Sequence, residues 1–177
     1  LDNTFTVARL EQGGYPYAYV GEPIVEGGET LLRPGQIAYN DPSGYLRTSL
    51  SDGLTLRYDA PRYSLSSITS YQYLDDAMTL DQDFTPLSYF TLRQAIREHA
   101  LTEDLVIRSR GTERYGWLFG AFGFYRNQRM DAPVTFKRTG IDRLILDNAN
   151  TSPEILYYTI DADELLLSSQ FRLPTWG

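Results

Sequence analysis

Few side chains in this sequence could carry chemistry. There is one histidine, His99, and no cysteine. The one dense acidic stretch, "DDAMTLDQD", holds Asp75, Asp76, Asp81 and Asp83. Carboxylates at this spacing invite comparison with a Ca²⁺ loop or with the acid/base pair of a glycosidase. The stretch lacks both the glycine and the terminal bidentate Glu of an EF-hand loop. A solvated loop accounts for it better. His99 sits in an Arg- and Glu-rich run, where a lone histidine reads as a surface or ladder residue rather than a base or ligand. A zinc site cannot be built from one His and no Cys. "GAFG" and "GWLFG" lack the Lys-Ser/Thr and the strand-to-helix junction of a phosphate loop. Glycine beside large aromatics within a strand points instead to close packing or sheet curvature. The tyrosines of "YPYAY" (15–19) could stack on a sugar, or could pack among themselves in an ordered loop. No residue is assigned as catalytic, cofactor-binding or metal-binding, no ligand residue is assigned, and the chain is read as a non-enzyme.

The elements that would position these residues show in the alternation. In "LTLRYDAPRYSLSSITSY" (54–71) two runs meet at Ala60, Pro61 and Arg62. Reading back from that hinge, Leu46, Thr48, Leu50, Leu54, Leu56 and Tyr58 share one parity, while Arg47, Ser49, Ser51, Gly53, Thr55, Arg57 and Asp59 share the other. A period of two over that length specifies a strand with one apolar and one polar face. Strands are expected at 3–9, 46–59, 63–74, 115–126 and 164–174. Turn signals crowd 11–44, which reads as a long irregular loop with room for one extended piece. Residues 75–90 and 127–153 also read as loops. The run 91–105 is ambiguous: Leu92, Ala95, Ile96 and Leu101 stand at near-helical spacing, while Ala95, His99, Leu101, Leu105 and Ile107 share one parity. Short connections (60–62, 109–114) thus alternate with long ones (75–90, 127–153). A soluble sandwich has no reason to keep its long loops at one end, whereas an outer-membrane barrel does.

Composition bounds the function. The 177 residues suffice for one domain, and no run approaches the ~20 apolar residues of a membrane helix. A net charge of −7 argues against nucleic-acid binding. The basic residues are Arg apart from Lys137 and do not cluster along the sequence. Fourteen Tyr and eight Phe suit sheets, interfaces and sugar-binding surfaces. The sequence begins without Met or a leader and ends abruptly at "RLPTWG", so a fragment is expected.

"LRYDAPRYSLSSITSYQYLDDAMTLDQDF" resembles the strand–periplasmic turn–strand–loop segment of TonB-dependent outer-membrane receptors. "HALTEDLVIRS" (99–109) is similar to that family's "sQElRl.S" strand, and "RYGWLFGAFGFYR" (114–126) to its "w.W..G.fY" partner. The three occur in family order across 54–126. Gly177 stands where such barrels usually close on an aromatic, as an internal piece would. The resemblance implies an all-β segment (1–177) of antiparallel transmembrane barrel strands with long extracellular loops, without the plug domain or signal peptide. It implies that 91–108 is loop and strand rather than helix. It implies a parent that binds a scarce ligand outside the bacterial outer membrane and imports it with energy from the TonB complex. Its partners would be outer-membrane lipid, the plug of the same chain, the TonB complex and the ligand, with no cofactor. The Leu46–Tyr58 face would then meet lipid and the Arg47–Asp59 face the barrel interior. The alternative is a soluble β-rich carbohydrate-binding module. A glycosidase built on Asp76 or Asp83 is a third class, and it needs a partner carboxylate across a cleft.

Overall fold

The computed structural model describes residues 1–110, 115–148 and 162–176. It is an antiparallel all-β sheet. Its strands are β1 (Asp2–Gly13), β2 (Ile24–Glu26), β3 (Glu29–Leu32), β4 (Gly44–Asp59), β5 (Tyr63–Asp81), β6 (Phe90–Ser109), β7 (Leu118–Asp131), β8 (Val134–Lys137), β9 (Glu164–Leu167) and β10 (Gln170–Trp176). The large sheet runs β1-β4-β5-β6-β7-β10, with β8 between β6 and β9, and β2 and β3 form a separate hairpin. Its end strands, β1 and β10, do not pair with each other.

β8 continues β7. Ala95 faces Asp131 and Leu92 faces Val134, three residues further on along both strands, so the register is unbroken. Pro133, which has no N–H to give the ladder, marks the interruption. β9 and β10 are likewise one strand in register, since Gln170 faces Asp131 and Leu167 faces Val134. The expected single run at 164–174 therefore holds as a line of pairing, with a gap at 168–169.

Alternation divides the sheet into two faces. The tyrosine face carries Tyr63, Leu65, Tyr71, Tyr73 and Asp75 of β5, and pairing adds Leu46, Leu50, Leu54, Leu56 and Tyr58 of β4. From β6 and β7 it takes Arg97, His99, Leu101, Glu103, Leu105 and Ile107, with Phe119, Tyr125 and Arg129 opposite. The serine face carries Ser64, Ser66, Ser70 and Asp76 of β5 opposite Asp59, Arg57, Gly53 and Arg47 of β4. In β7 this face is aromatic, with Leu118 and Phe122 exposed.

The 91–105 run is strand throughout, with no helix, because every residue from Thr91 to Ser109 has a β5 partner. Residues 99–108 pair with 118–127, three residues beyond the 115–124 partner expected. Of the expected 109–114 turn, 111–114 lie outside the described residues. The expected loop at 75–90 shrinks to 82–89, since β5 runs to Asp81 and β6 starts at Phe90. The loop at 127–153 is also corrected. Strand extends to Lys137, followed by a helical turn at Arg138–Gly140 and a π-helical turn at Ile141–Leu146; 149–153 lie outside the described residues. Residues 11–44 begin in β1 and hold the β2–β3 hairpin, whose Gly27 and Gly28 take φ of 60° and 86°, the positive values a type I′ turn needs.

The few buried apolar side chains gather at the long-loop end. Leu32, Leu80, Ile141 and Ile145 are buried there, and among the described residues only Ala60 is buried at the other end. Arg143 pairs with Glu26 and donates to the Tyr89 hydroxyl at 3.0 Å. Lys137 pairs with Asp41. Gly140 is buried against residue 89, and a Cβ there would run into the Tyr89 carbonyl. Gly140→Ala should therefore push 138–146 off the sheet and cost about 1–3 kcal/mol, as overpacking does. Limited proteolysis of the parent should show faster cleavage within 82–89; an unchanged pattern would mean that this cap does not depend on the close approach.

Candidate functional site

The candidate residues are all displayed around the strand tops, but they do not form one catalytic cluster. Asp75 and Asp76 are neighbours in sequence and so project from opposite faces. Asp75 pairs with Arg97 at 3.0 Å on the tyrosine face. Asp76, on the serine face, accepts from the Tyr45 hydroxyl at 2.6 Å and from Arg47 Nη2 at 2.7 Å. Burial together with the bond to Asp76 pushes the Tyr45 hydroxyl pKa up. Each carboxylate is held in an ion pair with an arginine of the neighbouring strand.

Asp83 organises the 82–89 loop. One carboxylate oxygen accepts from the Thr85 N–H at 2.9 Å and the Thr85 hydroxyl at 2.7 Å. The other accepts from the Tyr89 N–H at 3.1 Å. These bonds hold Phe84 at φ 51°, a conformation that costs energy in a non-glycine residue and persists where its surroundings fix it.

Asp81 is wholly buried. Its Oδ2 accepts from the N–H groups of Asn40 (2.9 Å) and Asp41 (3.1 Å), while its own N–H donates to Ser43 Oγ at 2.9 Å. It thus bolts the segment before β4 to the end of β5. Its Oδ1 has no partner among the described residues. Burial raises its pKa; the two backbone N–H groups oppose this, and nearby Asp83 and Asp41 add to it.

His99 Nδ1 and the Tyr71 hydroxyl share a hydrogen bond of 2.8 Å, and the Tyr73 ring lies 4.9 Å from the imidazole. The histidine is a member of a cross-strand aromatic row. In "YPYAY", Tyr15 stacks on Tyr17 at 6.2 Å, and Tyr17 meets Phe84 edge-on at 5.1 Å. The Tyr19 hydroxyl donates to the Glu22 carbonyl at 2.8 Å. These rings pack on their own loop and on the neighbouring one. Among the described residues no three His, Cys, Asp or Glu side chains are grouped to hold a metal ion.

Two features escaped sequence reading because they exist only in register. First, the tyrosine face carries two aromatic belts. Tyr58, Tyr63, Trp117 and Phe119 lie by the short turns, with Tyr58 and Tyr63 at 6.3 Å and Trp117 and Phe119 at 5.6 Å. Tyr71, Tyr73, His99, Tyr125 and Trp176 form the second, where Tyr125 and Trp176 lie 6.2 Å apart. Leu65 and Ile107 stand in the row of Tyr58 and Phe119, and Leu54, Leu56 and Leu105 occupy the space between the belts. Second, Glu103 stands within that band, accepting from the Ser67 and Thr69 hydroxyls at 2.5 Å each.

No family model, curated protein or solved structure matches the chain.

The Asp81 bolt has a defined pH dependence. Its folded pKa is raised, so ionisation penalises the docked segment. The penalty is absent below the ordinary carboxylate range and grows as pH rises towards the folded value. Protection of the Asn40 and Asp41 amides, corrected for intrinsic exchange, should therefore fall as pH rises from about 4 towards neutrality. Asp81→Asn should flatten that slope, while Asp81→Ala should remove protection throughout. Equal slopes in native protein and Asp81→Asn would assign the effect to another group.

Proposed function

We propose that this chain is a segment of a large outer-membrane β-barrel. Its parent would be an active importer of the TonB-dependent kind, which binds a scarce ligand at its outer face and passes it inward without making or breaking a covalent bond. The observation that carries this reading is the pair of aromatic belts on one face. Eight to ten residues along β5 separate Tyr63 from Tyr71 and Tyr73. At ~3.3 Å per residue and a tilt of about 35–45°, that is roughly 20–25 Å of height, close to the ~25 Å apolar band between the aromatic girdles of such barrels. The side chains between the belts are Leu54, Leu56 and Leu105 among small residues such as Ser67, Thr69, Ala121 and Gly123. Glu103 is the charged exception, and two hydroxyl donors offset part of its desolvation.

Strand length supports the same reading. β5 has 19 residues and β6 has 20, about twice the 9–11 that a membrane crossing takes. The excess lies beyond the upper belt, on the side of the long connections. Pro61 and Arg62 make the short turn between β4 and β5, closed by the Ala60 N–H to the Tyr63 carbonyl at 2.8 Å. In the parent, further strands would cover the open edges of β1 and β10. The plug and water would face the serine side, and the ligand would meet the loops.

Leu56 lies between the belts on the tyrosine face, and Arg57 is one residue on, facing the other way. Leu56→Arg should cost the parent barrel ~2–4 kcal/mol if Leu56 sits near the bilayer midplane, and Arg57→Ala far less, in a reversible bilayer-folding assay. Equal costs would argue against a lipid-facing side.

Orientation and energy coupling are read in cells. A cysteine replacing Asp83 or Asp142 should react with a membrane-impermeant maleimide on intact cells, and one replacing Pro61 only once the outer membrane is opened. Deleting the parent or the TonB complex should abolish uptake of the same solute. Parent-dependent uptake that persists without TonB would overturn the importer. Equal labelling of all three sites in a detergent-free extract would favour the soluble binding module.

A further inference from the structure

One row of side chains crosses the whole sheet on the tyrosine face. Arg9 faces Thr48, Thr48 faces Asp75, Asp75 faces Arg97, Arg97 faces Arg129, and Arg129 faces Arg172. The last three are directly adjacent on β6, β7 and β10. Directly opposed residues hold their Cβ atoms about 4.5–5.5 Å apart, and like charges so placed destabilise a sheet. Asp75 offsets only Arg97. Arg129 and Arg172 are exposed, and neither has an ion pair or hydrogen bond among the described residues. Asp131, two residues on from Arg129 and on the same face, makes no ion pair among them, and its buried Oδ1 is unpartnered. The chain as a whole carries −7, so this cationic cluster runs against its composition.

Its position is specific. The row lies one step beyond Tyr73 and His99 and two steps beyond Tyr71, Tyr125 and Trp176, hence just outside the upper aromatic belt. Together with His99 and Asn127, the three arginines line an open groove of about 520 Å³. Below it on the same face, Leu101, Tyr125 and Trp176 stand in one exposed row.

We propose that Arg97, Arg129 and Arg172 bind the phosphorylated headgroup of a lipid in the leaflet on the long-loop side. The lipid's acyl chains lie against Leu101, Tyr125 and Trp176 below. Guanidinium groups grip phosphate oxygens through paired N–H donors, and an anion across Arg129 and Arg172 relieves their mutual repulsion. The exposed apolar side chains below the groove, Leu101, Tyr125 and Trp176, select an amphiphile over free phosphate. The inference rests on the membrane-facing reading of this face and adds a site and a ligand class to it.

The test uses the full-length parent, reconstituted in phosphatidylcholine vesicles with or without phosphatidylglycerol or lipid A, then re-extracted in mild detergent. Retained lipid is counted by mass spectrometry. The native parent should retain the phosphorylated anionic lipid. Dephosphorylated lipid A should not be retained, and inorganic phosphate should not compete. Each arginine removed should lower retention about fivefold, and the Arg129→Gln/Arg172→Gln pair roughly 25-fold. If the pair impairs folding, the single Arg172→Gln on β10 carries the test at about fivefold. Arg126→Gln, on the other face of β7, should leave retention unchanged. Full competition by inorganic phosphate would make this a free-anion site and overturn the lipid assignment. Undiminished retention in a folded, inserted double variant would overturn the site while the barrel reading stands. A native parent that stays in the aqueous phase without detergent would overturn both.

Discussion

The backbone ladder is the interaction on which everything else in this molecule depends. The large sheet is a single layer, and outside the loop cap it buries almost no apolar side chain. A globular domain places a second layer against its apolar face. Here the tyrosine face stays bare: Leu56, Leu101 and Leu105 are exposed beside Tyr58 and Phe119. What fixes the geometry is continuous pairing, unbroken across all 16 residues of β4 and all 19 of β5. Pairing of that kind satisfies each strand's own N–H and C=O groups. In a medium without water this is a necessity, because unsatisfied backbone groups there cost several kcal/mol each. The same ladder leaves the side chains free to suit two different surroundings, one on each face.

Along the strands, those surroundings change at the arginine row. Below it, most large apolar residues of β4, β5 and β6 stay on the tyrosine face, with Ile68 and Val106 on the other. At and above it both faces mix polar with apolar residues, and the strands are tied by cross-strand pairs such as Asp75–Arg97 and Arg47–Asp76. At the top, side chains tie loops to strand ends: Asp81 to the segment before β4, Asp83 within the 82–89 loop, Lys137 to Asp41, Arg143 to Glu26. Ion pairs exposed to water contribute little singly. The buried Asp81, bonded to two backbone N–H groups, contributes more to position than an exposed pair can.

This division explains what could be read from the sequence. Alternation reports the environment of side chains rather than the pairing of backbones. It therefore located β4 and the start of β5, where one face is apolar, and missed the upper half of β5, where Asp75 and Asp76 are both polar. The run 91–105 was ambiguous for the same reason, because polar residues on both faces blur a period of two. Its resemblance to the "sQElRl.S" strand pointed to β, and the pairing is β. The carboxylates of 75–83 stood out in the sequence. Their actual roles were not legible there, because the partners of Asp81 lie some forty positions earlier in the chain. The arginine row was hidden more deeply. Arg97, Arg129 and Arg172 are dispersed in sequence, and only the registers of three strands bring them together.

The carboxylates also bear on how the loops are held. Asp75 and Asp76 each accept through Oδ2 from an arginine and a tyrosine, and Asp83 accepts through both oxygens from Thr85 and from the Tyr89 N–H. Asp81 binds two backbone N–H groups through Oδ2, and its Oδ1 has no partner among the described residues. Each is thus committed to holding a loop or a strand end in place. In a receptor of the proposed kind, that commitment is what presents the outer loops as a surface already in position. A ligand meeting a preorganised surface loses less of its binding energy to ordering the loops. The same ties join the loops to the strands, so a ligand held by 82–89 or 138–146 would be coupled through Asp81, Lys137 and Tyr89 to the wall itself.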